Sequence, residues 1–177
     1  MTQQELEKYL WGAATALRST IDAGDYKQYI FPLLFFKRIC DVYDEEYENA
    51  LEESDGDIEY AAFAENHHFQ VPKGAHWNDV RETTVNVGVA LQDAMRAIEK
   101  ANPETLFGIF GDASWTNKDR LSDETLTNLI EHYSRHKQKS QKAFQMTNWA
   151  MPMSISLKSS PMTVGIPPQN FIQTGRS

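Results

Sequence analysis

A mainly α-helical bundle is the fold this sequence predicts, and three observations predict it. Apolar residues recur at steps of three and four in several separate stretches, the period of one helix face. No alternation of strand and helix signals runs along the chain, which argues against a layered βα architecture. With 177 residues, 41% of them hydrophobic, the chain can bury one real core. The predicted organisation is a helical domain over residues 1–136 and an irregular tail over 137–177. A short extended or β segment is expected near residues 69–71.

The elements follow in order. Thr2 and Glu5 have capping-box spacing, and Leu6, Leu10, Ala13, Leu17 and Ile21 then share one face, predicting a helix over residues 3–19. Gly24 breaks it and Asp25 can cap the next. Tyr29, Leu33, Phe36, Cys40, Tyr43, Tyr47 and Ala50 step by four and three along one face, predicting a long helix over residues 25–53. Its first half, YIFPLLFF, is apolar nearly all round and should be the buried centre. Its second half is acidic on the outside. Pro32 removes one backbone donor, so a kink or a restart is expected there.

Residues 54–83 are less regular: SDGD is a turn, IEYAAFAE a short helix, FQVP the extended segment. Val87, Leu91, Met95 and Ile98 mark a helix over residues 84–100. Asn102-Pro103 ends it and can begin another short helix. The stretch 108–120 reads as loop. Ser122 then caps a last amphipathic helix carrying Leu126, Leu129, Ile130 and Tyr133.

Charge is unevenly spread. Residues 1–131 hold all 25 acidic residues and 11 of the 17 Lys/Arg, a balance of −14; residues 132–177 hold six Lys/Arg and no acid. An acidic body argues against a stand-alone nucleic-acid binder, because phosphate contact needs a cationic face. The single cysteine, Cys40, cannot form an internal disulfide and reads as a small core residue. MTQQELEKYL lacks the features of a signal peptide, and no apolar run is long enough for a membrane span. No membrane association is expected, and the cytoplasm is the expected location.

Candidate chemistry is sparse. His67, His68 and His76 lie near acids, but their spacing fits no standard zinc arrangement, so exposed loop histidines are the simpler reading. GIFGD over residues 108–112 does not follow a strand and is a poor nucleotide loop. Asp44, Glu45, Glu46, Glu48, Glu52 and Glu53 form a solvated helix face or a partner surface. Lys37 and Arg38 can meet phosphate or a partner, or pair with Asp41 or Asp44 one turn on. No nucleophile–base arrangement stands out.

Four blocks together resemble a known family: LWGAATALRSTIDAGDYKQYIFPLLFFKRICDVYDEEYENAL, FQVPKGAHWNDV, ALQDAMRAIEKANPETLFGIF and LSDETLTNLIEHYS. In order and spacing they resemble the amino-terminal helical domain of the modification subunit of type I restriction–modification systems, over about residues 4–136. That resemblance implies a parent N6-adenine DNA methyltransferase that uses S-adenosylmethionine, with a Rossmann-like catalytic domain after the helical one. The family's catalytic signature is Asn-Pro-Pro-aromatic, which holds a flipped adenine. This chain has Asn102-Pro103-Glu104 and Ile166-Pro167-Pro168, neither of which is that signature. The resemblance therefore implies a non-catalytic fragment, without catalytic, cofactor or metal residues of its own. Its implied roles are subunit assembly and DNA enclosure. The implied partners are the specificity subunit and a second modification subunit, with DNA met only inside that complex. Lys27, Lys37 and Arg38 are the expected DNA or partner contacts.

The tail departs from the family. Read one base earlier, the codons for Met146-Thr147-Asn148-Trp149-Ala150 force a Leu-Gly pair, and those for Met151-Pro152 force an Ala. These fall at the spacing of the family's continuation, LGxAYEYL. A shifted reading frame near residues 136–146 is therefore expected to have replaced the catalytic domain. Trp149, Met151, Ile155, Leu157 and Phe171 are expected to cover an apolar face of the helical domain. Two other classes compete: a stand-alone adaptor that binds a protein through the acidic helix face, and a small metal-dependent enzyme built on the histidines of residues 67–76.

Overall fold

A computed structural model describes residues 3–135 of the chain. The expectations for the tail, including its irregular form and the covering role of Trp149, Met151, Ile155, Leu157 and Phe171, lie outside the described residues. Within them are six α-helices and no strand: α1 (Gln3–Leu17), α2 (Tyr26–Glu53), α3 (Ile58–Ala61), α4 (Trp77–Arg81), α5 (Val87–Ala101) and α6 (Asp123–Ser134). The mainly helical bundle that the periodicity predicts is the fold.

α2 is the axis. Its first half is buried from Tyr29 to Cys40, as an all-round apolar segment requires. α1 and α6 pack on this half, and α6 also packs on α5. The restart expected at Pro32 does not occur, because one helix runs unbroken from Tyr26 to Glu53. Proline in a helix interior costs about 3 kcal/mol. Burying the neighbouring Ile30, Phe31, Leu33 and Leu34 side chains returns roughly 1.5–3 kcal/mol each, so packing wins.

α6 fastens the bundle through polar contacts. The Tyr133 hydroxyl donates to the Ile30 carbonyl at 2.9 Å, and the Tyr9 hydroxyl donates to the Tyr133 carbonyl at 3.1 Å. Trp77 Nε1 donates to Ser134 Oγ at 2.9 Å, tying α4 to the same end. At its other end Ser122 Oγ accepts the Thr125 N–H, as its N-cap position predicts. The adjacent Asp123 carboxylate accepts the backbone N–H groups of Asn86 and Val87, at 3.2 and 2.9 Å. One acidic residue thus satisfies the start of α5 from the start of α6.

Three local readings are settled by the structure. Residues 69–71 form no strand: Phe69 lies in a bend, and Gln70 and Val71 are irregular. The partner of Gln70 is a side chain: Asn102 Oδ1 accepts the Gln70 N–H at 2.7 Å, and Asn102 Nδ2 donates to the Gln70 carbonyl at 2.8 Å. The amide offers one donor and one acceptor, as a neighbouring strand would. Asn102 is therefore committed to this clamp, and residues 103–112 form turns, not the helix expected after Pro103. Finally, α4 lies within the region read as irregular. His76 caps it by accepting the Asn78 N–H on Nδ1, while Asp79 accepts the His76 N–H.

Candidate functional site

The middle of α2 gathers most of the charged and nucleophilic side chains singled out in the sequence. Lys37 and Arg38 follow the apolar run directly and stay inside, 6% and 4% exposed. Lys37 Nζ pairs with Asp41 one turn on and lies 6.0 Å from the centre of the Trp77 ring. Burial pushes the Arg38 pKa down, and the nearby Asp41 and Glu45 partly restore it. Burial likewise raises Asp41, against the attraction of Lys37 and Arg38. Desolvation of so enclosed a pair offsets much of its attraction. Lys27, near the start of α2, is half-buried. As placed, none of the three expected contact cations is a fully exposed side chain.

Cys40 is buried, and its sulfur accepts the Trp77 N–H at 3.3 Å. Burial drives its thiol well above the usual range, so it supplies no thiolate nucleophile at neutral pH. The core reading of Cys40 agrees with this placement.

The acidic second half of α2 binds the segment that follows α3. Asp44 accepts from His76 Nε2 at 2.8 Å. Glu46 accepts the His68 backbone N–H at 2.9 Å, pairs with the His68 ring, and lies 3.8 Å from His67 Nδ1. The His67 ring stacks on Tyr43 with centroids 4.0 Å apart and donates Nε2–H to the Ala61 carbonyl at 2.8 Å. Only His68 fits the loop-surface reading, since the His67 side chain is fully enclosed and His76 is largely so. Each histidine is held by a carboxylate or a carbonyl. Among the described residues no three His, Cys, Asp or Glu side chains gather as a metal would need.

Sequence reasoning missed Trp77, which links four parts of this arrangement: Cys40, Lys37, Phe36 and Ser134. Its signal was the His76-x-x-Asp79 spacing, a capping box with histidine in the serine position.

The surface cations lie elsewhere, and several are neutralised. Arg81 pairs with Glu131, Arg96 with Glu99, Lys118 with Asp123 and Arg120 with Asp25. No helix among the described residues is long and apolar enough to cross a membrane.

No curated protein matches the chain. Residues 6–133 match the family described as HsdM N-terminal domain, which spans nearly all of the described bundle from α1 to α6. The match covers nearly all of the stretch that holds the four sequence blocks, and the chain belongs to the HsdM N-terminal domain family, the amino-terminal domain of the type I restriction–modification modification subunit.

Proposed function

We propose that residues 1–136 form an assembly module of a type I restriction–modification DNA methyltransferase, joining the specificity subunit and a second modification subunit and helping to enclose DNA. The observation that carries this reading is the family match across residues 6–133. In this reading the methyl transfer from S-adenosylmethionine to adenine N6 belongs to a catalytic domain, and the helical domain contributes none of the reacting groups. The side chains fit that division. The thiol is sealed in the core, and the histidines are committed to carboxylates and carbonyls of their own fold. DNA is met within the complex, since the body of the chain is acidic and several surface cations are already paired. The complex works in the cytoplasm.

Co-expression tests this directly. A type I specificity subunit from the same genome should co-purify with the full chain and elute with it as one species. Separate elution at micromolar concentration overturns the assembly role. The origin of the tail is tested by the coding DNA from the Thr125 codon onward. The neighbouring frame should run on through AYEYL-like codons into an Asn-Pro-Pro-aromatic motif. A closed frame makes the tail native.

A further inference from the structure

The second half of α2, with α3 and the turn after it, forms a lobe unlike the rest of the molecule. Between residues 39 and 72 there are eleven Asp/Glu and no Lys or Arg. Its buried small residues, Ala50 and Ala61, lie outside the main core cluster. Phe69 anchors its end in the main core, and polar and ring contacts hold the rest, chiefly Tyr43 on His67 and Glu46 on His68.

This lobe also exposes apolar surface. Three of the seven large hydrophobic side chains exposed among the described residues fall within 58–63: Ile58 at 66%, Tyr60 at 37% and Phe63 at 54%. The Tyr60 and Phe63 rings meet edge to face, 6.0 Å apart. Around them Glu52, Glu53, Asp55, Glu59 and Glu65 are exposed, and none has an ion pair among the described residues. Bare apolar area and uncompensated like charge are both unfavourable in the free protein. One kind of partner relieves both.

We propose that the α2–α3 lobe, centred on Ile58, Tyr60 and Phe63, docks a cationic amphipathic protein segment. Its apolar side chains would cover these three residues and its Lys/Arg would meet the surrounding acids. The sign of the charge selects among occupants. DNA and anionic membranes are repelled by a lobe that holds eleven acids and no Lys or Arg of its own. A symmetric contact with a second copy would face acid with acid. A basic amphipathic segment meets both demands, in the manner of helix-in-groove recognition. The proposal rests on the lobe alone and does not depend on the assembly role proposed above.

The test uses the full chain and three synthetic peptides. One is an amphipathic helix with Lys/Arg on one face and Leu/Phe on the other. The second replaces Lys/Arg by Glu. The third scrambles the first so that its apolar face is lost. Calorimetry should show saturable binding of the first peptide alone, weakened by added salt. The variant Ile58→Gln with Phe63→Gln should bind it about tenfold more weakly or worse. The variant Glu59→Gln with Glu65→Gln should weaken binding and flatten its salt dependence. Circular dichroism checks the fold of each, and the second pair, which changes no volume, carries the test if the first fails to fold. The inference is overturned if the cationic peptide does not bind, if the scrambled peptide binds equally, or if neither variant matters. Preference for the anionic peptide or for duplex DNA also overturns it, as does self-association that the Ile58→Gln/Phe63→Gln variant abolishes. None of these outcomes bears on co-purification with a specificity subunit, so the two proposals fail separately.

Discussion

The hydroxyl of Tyr133, fully enclosed by the bundle, donates to the main-chain carbonyl of Ile30 at 2.9 Å and so bolts the last helix to the axial one. Burial raises the Tyr133 hydroxyl pKa well above its usual value, so the group stays a donor. Tyr133→Phe removes that donor without opening a cavity. The expected loss is about 1–2 kcal/mol, since the Ile30 carbonyl sits within α2 and loses only this extra partner. Urea unfolding followed by circular dichroism should show a lower midpoint at unchanged slope. A midpoint equal to that of the parent would mean that the bond adds nothing.

Asn102 makes a sharper case, because its amide makes three bonds at once. Besides the two to Gln70, its Nδ2 donates to the Ile98 carbonyl at 2.8 Å. Asn102→Asp keeps the shape and the acceptor but cannot donate, and it places a charge among buried carbonyls. A loss of roughly 2–4 kcal/mol is expected from the unsatisfied groups and the charge together. The specific signature is local: the Gln70 amide should exchange with solvent faster than amides in α5. Equal protection at Gln70 in both proteins would show that the clamp is not what holds this segment.

These two residues also mark how far the sequence was legible. Helices α1, α2, α5 and α6 could be read because amphipathic periodicity is local, needing only neighbours three and four residues away. The clamp could not be read, because Gln70 and Asn102 are 32 residues apart and no pattern joins them. Lys37 and Arg38 left two readings open, contact with phosphate or a partner and an ion pair one turn on. They stand between an apolar run and an acidic one, and charge alone suggests solvent. Burial of the whole first half of α2 carries both inside, and Asp41 one turn on accepts the Lys37 charge. The i,i+4 spacing was the one readable sign of that pairing. α4 was hidden because its cap is a histidine, a residue that seldom marks a helix start.

Gly88 is required for contact, not for freedom of the backbone. A Cβ at this position would run into the main-chain carbonyl of Trp115 and come within 3.3 Å of Leu126 Cδ1. In an open helix Gly→Ala gains roughly 1 kcal/mol. Here the obstacle is backbone, which cannot swing aside, so overpacking of about 1–3 kcal/mol wins. Gly88→Ala should lower the melting temperature and shift Trp115 fluorescence. Gly12→Ala is a useful comparison, because its Cβ would meet only the His132 ring. That ring can rotate at the cost of its contact with the Tyr9 carbonyl, 2.9 Å away. The loss at Gly88 should therefore exceed the loss at Gly12, and the reverse order would contradict the packing described.

Asp123 predicts an acid limb in stability. Its pKa lies below the ordinary 3.8, first because its carboxylate accepts the Val87 N–H, then through Asn86 and Lys118, with partial burial opposing. The direction sets the sign. An acid depressed in the folded state contributes stability above its unfolded pKa, and that contribution fades as pH falls through the folded value. Glu131 adds to the same limb, depressed from 4.5 first by its hydrogen bond to Arg81. Both carboxylates are only partly buried, so screening by solvent and salt keeps the effect modest. Asp123→Asn still accepts one N–H but carries no charge. Its unfolding midpoint should lie below that of the parent at neutral pH, and the gap should narrow as pH drops below about 4. A gap that stays constant down to the most acidic folded condition would show that the α5 cap does not depend on the carboxylate charge.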